Sequence, residues 1–357
     1  MARTTTDKNA RRLERGSSAH VEDPTIEQLA EEAAHTDDVA VRRTLFGWRE
    51  LVSTLIPIVL IAVAARNVDW TEAGRALGRS QPYYVLLALV VYYATFPLRA
   101  WRWSLLIRTG GAVVDWRTLL RILFLGWFVN CIVPAKLGDL YRSYLVKQRF
   151  GISLSRTVGV VVAERLLDLL VVFVLLIVGG YVAFGRTVVA DLRLVYLTGA
   201  ALFAILVGGL AGIYFVAPRI ARFFPAEVRR IGRLFREGVL HSFRALPAAG
   251  PLTLIIWAAE ALRLFFVLTA IGLDLPLSGV VFVAVATSLL TTVPLTPAGF
   301  GFVEIAMVYV LTQGFGLAQS DAIAVAVVDR AVSVLSVIVI GAIVYIRTSH
   351  EERIGRG

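Results

Sequence analysis

Two carboxylates, Asp139 and Glu304, each sit just after a proline- and glycine-broken turn inside long apolar sequence. Each is followed 25 residues later by an acidic–basic pair, Glu164-Arg165 after the first and Asp329-Arg330 after the second. Around the first carboxylate stand Asn130, Lys136 and Arg142. A charge inside a bilayer costs on the order of 3 kcal/mol even on insertion-based scales, so these groups need partners or cargo. Their types fit lipid chemistry. Arginine offers a planar fork to phosphate oxygens and lysine a compact charge. The half-helix starting near Asp139 adds its amino-terminal dipole. Asp139 and Glu304 suit coupling protons or a cationic headgroup. The expected substrate-binding set is therefore Asn130, Lys136, Asp139, Arg142, Glu164, Arg165, Glu304, Asp329 and Arg330.

The same residues also have architectural roles. Asp139 can cap its half-helix, and Glu304, three after Gly301, can satisfy first-turn donors. Glu164-Arg165 and Asp329-Arg330 can lock a helix bundle as buried ion pairs. Helix neighbours do not face each other, so partners are sought on other elements. One arrangement crosses the two halves, Glu164 with Arg330 and Asp329 with Arg165. Asp168, four after Glu164, and Glu260, three before Arg263, read as locally paired. Arg99 and Arg102 read as snorkelling to headgroups, and Cys131 as a small buried residue.

The elements that must position these side chains are the two breaks. The first is Asn130-Cys131-Ile132-Val133-Pro134-Ala135-Lys136-Leu137-Gly138-Asp139, and the second is Val293-Pro294-Leu295-Thr296-Pro297-Ala298-Gly299-Phe300-Gly301 running on to Glu304. Pro134, Gly138, Pro294, Pro297, Gly299 and Gly301 interrupt helix, by removing a backbone donor or relaxing the backbone. At membrane depth such breaks survive only where protein or a watery cavity surrounds them. Paired breaks point to a transporter-like binding site. A shift of 165 residues places Asp139 on Glu304, Ser155 on Ser320 and Glu164-Arg165 on Asp329-Arg330. Upstream the shift drops to 160, with Pro134 on Pro294. Three full spans lie between the breaks, an odd number, so the two halves are expected to be inverted.

The class follows from composition. The 357 residues are 57% hydrophobic with a mean hydropathy of +0.74, which marks a membrane protein. The net charge of +10 is not read as a nucleic-acid signal, because the arginines flank apolar spans as the positive-inside rule and anionic headgroups require. One cysteine excludes an internal disulfide, and four scattered histidines show no ligand spacing. No metal or cofactor is expected. Some fifty polar residues precede the first apolar run, so no cleavable signal peptide is expected.

In order, residues 1–45 read as a largely disordered cytoplasmic tail, with one short helix expected from Ile26 to Ala34. Residues 46–346 form the transmembrane part, and 347–357 a second cytoplasmic tail. Full spans are expected at 51–65, 82–107, 157–184, 194–217, 250–273 and 320–346, with re-entrant hairpins at 118–149 and 277–316. The fold class is thus all-α integral membrane, with six full spans and two half-helix hairpins in an inverted repeat. Repeat one covers 82–184 and repeat two 250–346. The end of the second span, with Tyr92, Tyr93, Arg99, Trp101, Arg102 and Trp103, reads as an aromatic and basic interface belt. The connector 218–249 reads as a basic amphipathic surface helix. Basic clusters at 99–121, 136–156, 218–249 and 347–356 all fall on one side, which places both termini in the cytoplasm of a cell-membrane protein.

The Asn130…Pro134…Gly138-Asp139…Arg142 segment, the Glu164-Arg165 pair and the Pro294…Pro297…Gly299…Gly301…Glu304 segment together resemble the lysylphosphatidylglycerol synthase transmembrane (flippase-like) family. In that family the domain occurs fused to an aminoacyl-transferase, where it flips the aminoacylated lipid, and also alone. With only about ten residues after the last span, the resemblance implies a stand-alone member that translocates lipid and does not synthesise it. The expected partners are membrane lipids: an anionic or aminoacylated phospholipid, or a polyprenyl-linked precursor. A homo-oligomer is compatible with the reading, and nucleic acid is not. The competing functions are a transferase acting on a lipid carrier, a scaffold for a separate synthase, and a small-solute transporter. No nucleotide loop, metal cluster or nucleophile–base pair supports the first, and a scaffold has no need of polar midplane breaks.

Overall fold

The computed structural model describes residues 70–108, 114–133, 136–185, 193–291 and 296–344. The amino-terminal tail, its short helix and the 51–65 span lie outside the described residues, as do Pro134, Pro294 and the carboxy-terminal tail. Among the described residues the structure is helical, without strands. The order is α1 (Trp70–Gly78), α2 (Pro82–Arg108), α3 (Trp116–Ile132), α4 (Leu137–Phe150) and α5 (Leu154–Phe184). Then come α6 (Arg193–Ala211), a π-helical stretch Gly212–Val216, α7 (Ala217–Ala221), α8 (Ala226–Ser242) and α9 (Leu246–Ile271). The chain closes with α10 (Leu277–Thr291), α11 (Phe302–Tyr309) and α12 (Gln319–Arg330), which runs on through a π-helical turn to residue 344.

Five helical stretches are long and apolar enough to cross a membrane: Pro82–Arg108, Leu154–Phe184, Gly199–Ala221, Ala226–Ile271 and Gln319–Val344. The chain is an all-α integral membrane protein. Two differences from the expected layout stand out. A short helix, α1, occupies a stretch read as a loop, and it packs on α12. The connector is not separate from the span that follows it: α8 continues through a 3-10 turn at Phe243–Ala245 into α9. The 3-10 turn falls just before Pro247, which sits within the first turn of α9, where a missing N–H is tolerated.

The inner end of α8 is held on α5 by close backbone approach. A Cβ on Gly159 would lie 2.2 Å from the Phe235 carbonyl oxygen, and one on Gly238 2.1 Å from that of Arg156. Elsewhere α2 packs along α9, and α10 along α5. The core between them is built from Trp103, Leu123, Leu176, Ile256, Leu264 and Phe282, all buried. Neither α3, at 17 residues, nor α4, at 14, has the length of about 20 residues that a span needs. They pack on each other across the first break. A Cβ on Gly138 would sit 2.0 Å from the Gly126 carbonyl oxygen and 2.7 Å from Oδ1 of Asn130. Gly138→Ala must therefore push the two helices apart, with an expected loss of ~1–3 kcal/mol or more in detergent unfolding. An unchanged unfolding midpoint would show that the contact is not that close.

Candidate functional site

The two carboxylate–arginine constellations close in the same way in both halves. In the first, Arg102 on α2 is wholly buried and reaches Glu164 at 2.8 Å and Asp168 at 2.5 Å on α5. Arg142 on α4 bonds the other Glu164 oxygen at 2.8 Å and lies 3.3 Å from Asp139. Arg165 grips Asp139 with both Nε and Nη2, at 3.1 and 2.9 Å. In the second, Arg263 on α9 reaches Asp329 on α12 and also Glu260, the latter at 2.9 Å. Arg330 lies 3.1 Å from Glu304. Arg99 donates to Glu260 at 2.6 Å. Equivalent partners thus meet twice: Arg102–Glu164 and Arg165–Asp139, then Arg263–Asp329 and Arg330–Glu304.

This geometry corrects the cross-half exchange. The ion pairs of Glu164 and Asp329 stay within their own halves, because each carboxylate is met by the arginine of its half's first helix. A double-mutant cycle on Asp139→Asn and Arg165→Gln is expected to show coupling of ~1–3 kcal/mol in unfolding. The cycle Glu164→Gln with Arg330→Gln is expected to be additive, and strong coupling there would overturn the assignment. The pairing of Glu260 with Arg263 is local as read, whereas Asp168 shares Arg102 with Glu164.

The interface-belt reading of α2 also fails. Tyr92, Phe96, Arg99 and Trp103 follow one another at three- or four-residue steps, so they share one helix face, and that face is buried. Of the residues read as the belt, only Trp101, on the opposite side, is largely exposed. Arg99 and Arg102 do not snorkel. They are ion-paired in the interior, and Arg99 also stacks 4.9 Å from the Trp127 ring. Arg165 approaches the same ring at 5.5 Å, and Arg142 lies 4.7 Å over Trp103.

The breaks themselves are built around positive φ. Lys136 precedes α4 at φ 54° and ψ 35°, and Gly301 precedes α11 at φ 85°. Each stands three residues before its carboxylate. Gly301 donates its N–H to Glu304 at 2.7 Å, so Glu304 does serve the first turn as well as Arg330. Asp139 makes no cap to its own helix: its oxygens go to Arg165 and, at 3.3 Å, to Asn130 Nδ2. Ala298 is a second non-glycine residue at positive φ, in the 3-10 turn Pro297–Gly299 of the second break. Glycine tolerates that region freely, whereas a lysine there costs about 1–2 kcal/mol.

Between the breaks lies a cavity of about 190 Å³. Asn130, Cys131 and Lys136 line it from the first break, and Thr296, Ala298 and Gly299 from the second. Arg99, Arg165, Asp168, Glu260, Arg263, Asp329 and Arg330 add the other charged groups of its wall, with Trp127 and Tyr92. Asp139, Arg142, Glu164 and Glu304 do not line it and instead support the residues that do. The π-helical turn Ala331–Leu335 re-aims the backbone, and the Ser333 carbonyl accepts the Tyr92 hydroxyl at 2.9 Å. Seven cations (Arg99, Arg102, Lys136, Arg142, Arg165, Arg263, Arg330) face six carboxylates (Asp139, Glu164, Asp168, Glu260, Glu304, Asp329). Every arginine of the set has a carboxylate within 3.3 Å. Lys136 has no ion-pair partner among the described residues. Asn130 Oδ1 is likewise buried with no hydrogen bond there.

The family model described as lysylphosphatidylglycerol synthase TM region matches residues 50–341. The chain belongs to that family. A UPF0104 membrane protein of Methanocaldococcus jannaschii is 33% identical over 219 residues, 61% of this chain and 93% of the relative. A UPF0104 membrane protein of Methanothermobacter thermautotrophicus is 27% identical over 333 residues, 84% of this chain and 96% of the relative. The glycosyltransferase AglD of Haloferax volcanii is 29% identical over 319 residues, which are 78% of this chain but 51% of that protein. The matched stretch is thus most of each of the two UPF0104 proteins and about half of the longer chain named as a glycosyltransferase. Sequence reasoning missed Arg99, Arg102, Trp127, Glu260 and Arg263 as parts of the constellation. The four-residue phase of α2 was the signal that could have found the first two.

Proposed function

We propose that this protein translocates a phospholipid or lipid-linked precursor across the cytoplasmic membrane, holding the headgroup in the cavity between the two breaks. The observation that carries the reading is Lys136. It is the one cation of the seven without a carboxylate partner among the described residues, and it lines a cavity reached from both breaks. A lipid phosphate supplies the missing anion.

The recurrence of the same ion pairs supports treating 82–184 and 250–346 as two copies of one unit, inverted as the three intervening spans require. Each copy would then move as a body on either side of the headgroup, which is how inverted-repeat transporters expose a fixed site alternately. The second lock is the looser one, since Arg330 Nε and Glu304 Oε1, 3.1 Å apart, are not aligned as a hydrogen bond. The basic loops support a reading with both termini in the cytoplasm.

Cys131, the single cysteine, lines the cavity and needs no engineering to serve as a reporter. In oriented vesicles it is expected to react slowly with membrane-impermeant thiol reagents added from either face, and more slowly when an anionic lipid is supplied. Reaction from one face only, indifferent to lipid, would contradict alternating exposure. The AglD relationship favours a second reading, an enzyme acting on a lipid carrier. Protein-dependent chemical change of a polyprenyl-phosphate lipid, followed by chromatography, would select it.

A further inference from the structure

A second cavity, of about 810 Å³, lies between the carboxy-terminal end of the α6–α7 rod and α8, remote in sequence from both breaks. One part of its wall is apolar, with Ile213, Val216, Ile220 and Val228. The latter three leave roughly half of their surface exposed. The other part is cationic, with Arg222 at the end of α7 and Arg229, Arg233 and Arg236 on α8. Steps of four and three residues put these α8 arginines on one helix face. The connector from 218 to 249 holds only two carboxylates, and both are used elsewhere. Glu227 pairs with Arg230 at 3.2 Å, and Glu237 with Arg156 of α5 at 2.8 Å. None of the four cavity arginines has a carboxylate partner among the described residues. Arg236 Nε is shielded from solvent yet makes no hydrogen bond.

We propose that this groove is a binding site for an anionic phospholipid, distinct from the cavity between the breaks. The apolar wall takes acyl chain and the arginine face takes phosphate. Basic pockets between membrane helices are suited to lipids of this kind, and a headgroup with two phosphates matches several arginines on one face. The lipid does not depend on the translocation reading. It would brace α8, whose inner end is already tied to α5 by Arg156–Glu237 and by the bond from the Ser155 hydroxyl to the Ile231 carbonyl at 2.7 Å.

The test is native mass spectrometry of the full chain in detergent, titrated with cardiolipin and, separately, with phosphatidylcholine. Wild type is expected to retain one cardiolipin in preference to phosphatidylcholine. Arg229→Gln with Arg233→Gln should weaken that binding about tenfold or more. Both side chains are exposed and make no ion pair among the described residues, so the lipid-free unfolding midpoint should not change, and each single change gives a smaller loss in the same direction. Arg230→Gln, outside the groove, and Lys136→Gly, in the other cavity, should leave this binding intact. Equal affinity in the double variant, equal retention of phosphatidylcholine, or loss only with Lys136→Gly would overturn the proposal.

Discussion

Replacing Lys136 by glycine should abolish translocation while leaving the protein at least as well folded. Lysine at φ 54° holds a conformation that costs about 1–2 kcal/mol, and Gly301 shows that glycine serves the equivalent place in the second break. Relief of strain and the extra backbone entropy of glycine, about 0.5–1 kcal/mol, offset each other. The unfolding midpoint in detergent should therefore stay within a few degrees or rise. Transport should fall about tenfold or more, because a hydrogen bond to a charged group contributes ~1.5–3 kcal/mol. Lys136→Arg keeps the charge and should keep part of the rate, whereas Lys136→Gln should behave like glycine in transport. A wild-type rate in Lys136→Gly would remove the lysine from the mechanism.

Arg102→Met is expected to give the largest loss of stability among the changes considered. The guanidinium is completely buried and serves Glu164, Asp168 and the Thr253 hydroxyl at once. Without it buried Asp168 loses its ion pair and Glu164 keeps only Arg142, and removing one partner of such a buried pair costs ~3–5 kcal/mol. Folded yield and unfolding midpoint should both drop. The combined change Arg102→Met, Asp168→Asn should recover much of the loss, since Glu164 keeps Arg142 and no charge is then stranded. An Arg102→Met protein as stable as wild type would mean that the cluster is hydrated and not a lock.

The placement of the breaks was legible in the sequence because their signals are local. Proline, glycine and a lone carboxylate within a few residues mark where α3 gives way to α4 and where α10 gives way to α11. The five described spans were legible as long, predominantly apolar runs. The choice of partners was not. Whether Glu164 meets Arg102 or Arg330 depends on which helices pack together, and nothing in the spacing of Glu164 and Arg165 states it. Arg102 was misread because arginine beside tryptophan at a helix end resembles an interface belt, and only the buried phase of α2 distinguishes the two. The fusion of α8 to α9 was missed because a charged segment followed by an apolar one looks like a boundary. A helix has no need to stop where its surroundings change.

The most direct test of the central claim is headgroup movement in proteoliposomes made with the purified full chain. Fluorescent anionic, aminoacylated and polyprenyl-phosphate lipids would be compared, with an impermeant quencher reporting the leaflet. The account predicts protein-dependent exposure of at least one phosphate-bearing lipid, abolished by Lys136→Gly and reduced by Asp139→Asn with Glu304→Gln. No movement of any of these lipids by a folded, correctly inserted protein would contradict it.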